Sequence, residues 1–258
     1  MSEAIQVSIE GHTAIVTMHN PPANTWTRDS LEALTELVHS LNAKQDIYAM
    51  VITGQGDKFF SAGADLKLFA DGNKQVAADL STAFGRAFET LSQFRGLSIA
   101  AINGYAMGGG LEVALACDLR IAERQAQMAL PEASVGLLPC AGGTQNLTWL
   151  VGEGWAKRMI LCGERVTAEQ ALQIGLIEAV AEQGEVMTMA RQWVQQAQRQ
   201  SPTSIAACKR LIQTARKEPM FAGLAHERDE FVRLFDSHDQ TEGVQAFLQK
   251  RKPIWTNS

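Results

Sequence analysis

The sequence predicts a mixed α/β domain followed by a helical C-terminal region, and three features carry that prediction. Apolar runs of strand length recur through the first two thirds of the chain, several of them ending in glycine-rich loops. Longer segments with apolar residues every three to four positions lie between them, the spacing of helices that bury one face. From Gly152 onward helical spacing dominates, and only Ile177 to Ala181 keeps the character of a strand.

Ile5, Val7 and Ile9 alternate with polar residues, and Ala14 to Met18 follows Gly11, so the chain opens with two strands joined by a turn. Asn20-Pro-Pro-Ala-Asn-Thr25 breaks the pattern. Thr27 is placed to cap a helix carrying Leu31, Leu34, Leu37, Val38 and Leu41 at helical spacing. Tyr48 to Thr53 is a strand leading into the loop from Gly54 to Asp65. Val76, Leu80, Phe84, Phe88 and Leu91 mark a long helix whose aromatics belong to the core.

Leu97 to Asp118 is the centre of the chain. Leu97 to Ile102 is a strand and Leu111 to Cys117 a second apolar run, with Gly104, Gly108, Gly109 and Gly110 between them and Glu112 at the start of the second run. If Gly110 onward is helical, its N–H groups lie at the positive end of a dipole, suited to a developing oxyanion, with Glu112 in the first turn. Three readings compete: glycines that only let a helix pack closely on a strand, a dinucleotide fingerprint, and an oxyanion hole beside an acid or base. The fingerprint fits badly, because the third glycine of G-x-G-x-x-G is absent. The oxyanion reading needs a second donor and a second carboxylate elsewhere.

Beyond Asp118, Leu119 to Ala122 and Met128 to Leu130 are strands, the latter ending at Pro131-Glu132. The loop after Glu132 holds Pro139 and Gly142-Gly143 and opens a helix near Thr144. Breaks fall at Gly163, Gly175, Gly184 and Ser201-Pro202, and segments 203–217, 220–236 and 241–249 are short amphipathic helices. Phe221, Leu224, Phe231, Leu234 and Phe235 form an apolar stripe that must be covered by the main domain or by another subunit.

The 258 residues, 46% hydrophobic and 20% charged, suit one large domain with an appendage. A net charge of −5 argues against general nucleic-acid binding, where a basic face supplies most of the affinity. No apolar run approaches the roughly 18 residues of a spanning helix, and the N-terminus lacks the basic and hydrophobic regions of a secretion signal. Cys117, Cys140, Cys162 and Cys208 show no C-x-x-C spacing, so reduced thiols and a cytoplasmic location are expected. Neither a P-loop nor a G-x-S-x-G elbow is present. His226-Glu-Arg-Asp-Glu230 has a glutamate where a helical metal motif needs its second histidine and is read as a solvated face, so no metal is expected.

Three segments stand together: F-F-S-A-G-A-D-L-K (59–67), N-G-Y-A-M-G-G-G-L-E (103–112) and L-P-E-A-S-V-G-L-L-P-C-A-G-G-T-Q-N-L (130–147). In this order and spacing they closely resemble the enoyl-CoA hydratase/isomerase (crotonase) family, and the likeness extends to F-L-Q-K-R-K at 247–252. The resemblance implies a catalytic core over residues 1–200, built as a spiral of ββα units. It also implies a helical region over 201–258 that builds trimers, often paired into hexamers.

By position in the family motif, Ala64 and Gly109 would donate two backbone N–H bonds to an acyl thioester oxygen. Ala62, Ala64, Asp65, Leu66 and Lys67 would line the coenzyme A site, while Phe247 and Lys250 would reach a neighbouring subunit's coenzyme A. The family's hydratases carry two glutamates, and Glu112 and Glu132 occupy those places. The implied reaction adds water to a 2-enoyl-CoA, with Glu112 mainly handling the water and Glu132 the C2 proton, and with no cofactor beyond the coenzyme A of the substrate. Cys140 stands where glycine is common and Asn146 where arginine is common, which bears on the shape of the acyl pocket. A Δ3,Δ2-enoyl-CoA isomerase, or another lyase or hydrolase of coenzyme A thioesters, is the rival within the family. A noncatalytic acyl-CoA or RNA-binding relative is the rival from another class, and the acidic charge and paired glutamates count against it.

Overall fold

The computed structural model describes residues 3–258. Strands β1 (Ile5–Glu10) and β2 (Thr13–Met18) form the expected hairpin, in register from Ile5 opposite Met18 to Glu10 opposite Thr13. Helix α1 (Arg28–Asn42) begins where the Ser30 N–H donates to the Thr27 hydroxyl and the Thr27 N–H donates to Ser30 Oγ, a reciprocal cap. Next come β3 (Ala49–Gly54), β4 (Phe59–Ser61), a 3₁₀ turn at Leu66–Phe69 and α2 (Lys74–Ser92). The middle of the chain holds β5 (Leu97–Ile102), β6 (Tyr105–Met107), α3 (Gly109–Ala116), β7 (Leu119–Glu123) and β8 (Gln127–Ala129). A second 3₁₀ turn, Glu132–Val135, leads to α4 (Gly143–Leu161), which kinks at Gly152. Then follow β9 (Val166–Thr167), α5 (Ala168–Gln173), β10 (Ala179–Ala181) and α6 (Val186–Ala197). Helices α7 (Pro202–Thr214), α8 (Met220–Arg233) and α9 (His238–Leu248) close the chain.

The larger sheet runs β1-β2-β3-β5-β7-β10 and is parallel except for the first hairpin. Every residue of β3 is buried, as expected of a parallel strand covered on both faces. Val51, Ile99 and Ala101 pack on Val186, Ala190 and Val194 of α6. On the opposite face Met50, Ile52 and Ile102 join the main core with Leu34 of α1, Phe88 of α2 and Val113 of α3.

A smaller sheet, β4-β6-β8-β9, lies apart from it. Its first three strands are parallel, with Phe59 opposite Tyr105 and Ala106 opposite Met128. Strands β4, β6 and β9 depart from the expected pattern. The first two lie inside segments read as glycine loops, and the third lies where helical spacing dominates. Each is two or three residues long, too short for a period-2 signal, and exists through its neighbours.

The C-terminal helices are tied down by buried polar clasps. Lys209 Nζ donates to Asp118 Oδ2 at 2.8 Å and to Phe94 O at 2.6 Å, pinning α7 beneath β5 and β7. Buried Asp239 accepts from the Thr256 N–H at 2.9 Å and the Ser201 hydroxyl at 3.2 Å, joining the start of α9 to the tail and to the cap of α7. The main domain does not cover the apolar stripe of α8, which corrects one of the two covers the sequence left open. Phe221 is 77% exposed and Phe231 64%, because α8 meets α7 along an edge held by the Arg210–Glu230 ion pair. His226 faces Glu218 at 3.0 Å and Glu230 pairs with Arg210 and Arg233, an ion-paired helix surface. No helix among the described residues is long and apolar enough to cross a membrane.

Candidate active site

The site forms where three adjacent parallel strands end. Strand β4 releases Ala62-Gly63-Ala64, β6 releases Gly108-Gly109 and β8 releases Leu130-Pro131-Glu132, all at the carboxyl edge of the smaller sheet. Ligands in α/β proteins gather at such edges, because the strands hold the loop origins rigidly side by side. The Gly108 N–H donates to Ala129 O at 2.9 Å, which locks the second loop against the third. The first and second touch at Gly63, where a Cβ would come within 2.7 Å of Met107 O and 3.0 Å of Gly109 N, so any larger residue would force them apart.

The amides of Ala64 and Gly109 are left without acceptors among the described residues. The bridge between Trp26 and Ala64 uses Gly63 O and the Asp65 N–H on either side, so it leaves the Ala64 N–H unspent. Gly109 is the first residue of α3, whose cap Gly108 has no side chain to satisfy the free N–H groups of the first turn. Both residues line one cavity of about 420 Å³. Two such donors, one of them at a helix start, can receive a carbonyl oxygen that gains negative charge.

Glu112 lies in the first turn of α3 and is 2% exposed. Its Oε1 accepts the N–H groups of Ala141 and Gly143, each at 2.8 Å. That approach depends on Gly143, where a Cβ would sit 2.8 Å from the same oxygen. Burial pushes the Glu112 carboxyl upward, and the two backbone bonds hold part of that rise back.

Glu132 opens the 3₁₀ turn after β8 rather than ending the strand itself, and its Oε1 lies over Gly108, 2.9 Å from where a Cβ would project. Its Oε2 is buried without a hydrogen-bond partner among the described residues. Burial first, and then the charge of Glu112, push this carboxyl up to about 7. One carboxyl held by two amides and another raised toward neutrality is the asymmetry that separates base from acid.

Ala62, Ala64, Asp65, Leu66, Gly109, Glu112 and Glu132 all line this cavity. Lys67, Phe247 and Lys250 do not; Phe247 is 83% exposed on α9. Asp65 also caps the 3₁₀ turn, accepting the Lys67 N–H at 3.1 Å. Cys140 is part of the wall, and its thiol is pushed up to about 11 by burial and by the charges of Glu112 and Glu132. Asn146 stays outside it, beside Gly142 and accepting from Arg216 at 3.3 Å. Phe84, read as core, is buried and forms part of the wall as well. Phe69, Leu137 and Leu138 were not singled out as site residues, although two adjacent leucines in a glycine- and proline-containing loop are a usable signal for a ligand wall.

Unspent amides in one cavity with a pair of unlike carboxyls are the groups that activation of a carbonyl and proton transfer beside it require. Residues 8–258 match the enoyl-CoA hydratase/isomerase family model, and the chain belongs to that family. It is 40% identical to the 2,3-dehydroadipyl-CoA hydratase of Escherichia coli K12 over 98% of both chains. Identity to the short-chain-enoyl-CoA hydratase of Clostridium acetobutylicum is 34% over 94% of both. Among solved structures, Pseudomonas aeruginosa DspI superposes with a TM-score of 0.96 at 62% identity, covering 98% of this chain and 97% of that one. The enoyl-CoA hydratase of Bacillus anthracis superposes at 0.95 with 32% identity, covering 99% of this chain and all of the other. The mixed α/β architecture with a helical C-terminal region is therefore that of the crotonase fold.

Proposed function

We propose that the chain is a hydro-lyase that adds water across the double bond of a 2-enoyl-CoA to give a 3-hydroxyacyl-CoA. The observation that carries this reading is the pairing of Glu112 with Glu132 in one cavity with the free amides of Ala64 and Gly109. The thioester oxygen accepts from both amides, which draws charge onto it and makes C3 electrophilic. Glu112 takes a proton from water as the water oxygen bonds to C3, and Glu132 gives its proton to C2 as the enolate collapses. Transfer of the proton from Glu112 back to Glu132 through solvent resets the pair. A carboxyl near 7 is half protonated at neutral pH, which suits a donor to carbon.

Hydration uses both carboxyls, whereas isomerisation needs only one proton shuttle, and the two-carboxyl arrangement supports hydration. Coenzyme A is part of the substrate and no further cofactor enters. Its binding falls to Ala62, Asp65, Leu66 and Lys67 of this chain. Phe247 and Lys250 serve the coenzyme A of a neighbouring copy in a trimer or a dimer of trimers. The uncovered stripe of α8 supports that association.

The test follows the loss of enoyl thioester absorbance with crotonyl-CoA for the wild type, Glu112→Gln and Glu132→Gln. Each substitution is expected to lower kcat by about 10²–10⁴-fold. Near-normal hydration by both folded variants would refute the mechanism.

A further inference from the structure

The charge of the cavity wall is lopsided. Glu112 and Glu132 bring two carboxyls to its reacting end, Asp65 lies on the side given to coenzyme A, and no lysine, arginine or histidine lines it among the described residues. The two unspent amides are matched to the thioester oxygen, so they are not available to the far end of an acyl chain. The rest of the wall is largely apolar. Val135 is 53% exposed, Leu137 43% and Leu138 66%, three large apolar side chains left uncovered around one cavity and outside the residues given to coenzyme A. Single exposed leucines are ordinary, but a ring of them about a pocket is completed by an apolar occupant.

We infer that the acyl pocket takes neutral, apolar tails and rejects an acyl chain that ends in a carboxylate. The inference rests on the proposed acyl-CoA site and deepens it by naming the tail chemistry. A carboxylate entering here would lose its water, find no cation among the described lining residues and stand near the Glu112 carboxyl, while Glu132 holds the proton it needs for the reaction. An alkyl end would instead cover Leu137, Leu138 and their neighbours. Family membership does not fix this property, because the 40% identical Escherichia coli relative is named for 2,3-dehydroadipyl-CoA, whose acyl group ends in a carboxylate.

Binding of saturated ligands measures this without any reaction. Isothermal titration of the full-length wild type compares hexanoyl-CoA, adipyl-CoA and the methyl ester of adipyl-CoA, which share a six-carbon acyl chain. Adipyl-CoA is expected to bind about 100-fold more weakly than hexanoyl-CoA, and the ester within about threefold of hexanoyl-CoA. Equal affinity for the free acid and hexanoyl-CoA would overturn the inference, as would an ester that binds as weakly as the acid, since size rather than charge would then decide. If hexanoyl-CoA outbinds adipyl-CoA while 2-hexenoyl-CoA is not hydrated, the reaction proposed above fails and the tail preference stands. If none of the three ligands binds, both fail.

Discussion

Glu132→Gln separates a raised carboxyl from an ordinary one through the pH dependence of folding. In the folded chain the group sits near 7 instead of 4.5, because burial and the charge of Glu112 disfavour its ionised form. Folding therefore retains a proton that the unfolded chain releases as pH climbs from 4.5. The stability this gives is complete below 4.5 and is lost as pH rises to about 7. At 1.36 kcal/mol per pH unit, the interval from 4.5 to about 7 amounts to at most ~3 kcal/mol. Glutamine cannot ionise, so the variant escapes this loss. It introduces an amide where Oε2 has no partner, at a pH-independent cost of about 1–3 kcal/mol. Urea unfolding followed by tryptophan fluorescence, at matched protein concentration, should show the variant gaining about 2–3 kcal/mol relative to wild type between pH 5 and pH 8. A difference between the two proteins that is the same at both pH values would refute the reasoning, since Glu132 would then titrate as an ordinary surface carboxylate. On the proposed mechanism wild-type hydration should also decline above about pH 7, as Glu132 loses the proton assigned to C2.

Other consequences follow from individual contacts. Gly109→Pro removes one of the two free amides at a helix position that tolerates proline, and kcat/KM for crotonyl-CoA should fall by about 10²–10³-fold with the fold retained by circular dichroism. Gly109→Ala is the control: it keeps the N–H, and its Cβ comes 3.0 Å from the Phe84 ring edge and 3.6 Å from Gly63 Cα, so it should lose much less activity. Gly143→Ala puts a Cβ 2.8 Å from Glu112 Oε1 and from Pro139 Cβ. It should cost about 1–3 kcal/mol in urea unfolding and lower kcat by displacing the carboxyl. Lys209→Met leaves the Asp118 carboxylate with the Ser98 N–H and hydroxyl as its hydrogen-bond donors among the described residues. Stability should drop by about 2 kcal/mol while KM stays unchanged, because the clasp is remote from the cavity.

Much of the larger sheet and its helices was legible because those elements are long enough to carry a period. Thr27 announced α1, alternation announced β1, and the spacing of Leu80, Phe84 and Phe88 announced α2. The residues proposed to carry the chemistry were legible as candidates, since glycines and isolated carboxylates in apolar segments stand out locally and the family resemblance assigned their places. Hidden from the sequence was the arrangement that joins them. Strands β4 and β6 are three residues each, and only their pairing with one another and with β8 brings Ala64, Gly109 and Glu132 to one edge. The state of Glu132 was hidden as well, because its rise to about 7 comes from the burial and the neighbouring Glu112 that this pairing creates. By itself the sequence determined which groups could do acid–base chemistry beside a glycine-rich helix start. Only the tertiary structure decided that they share a cavity, and that no cation lines it among the described residues, because desolvation and charge proximity arise between residues distant along the chain.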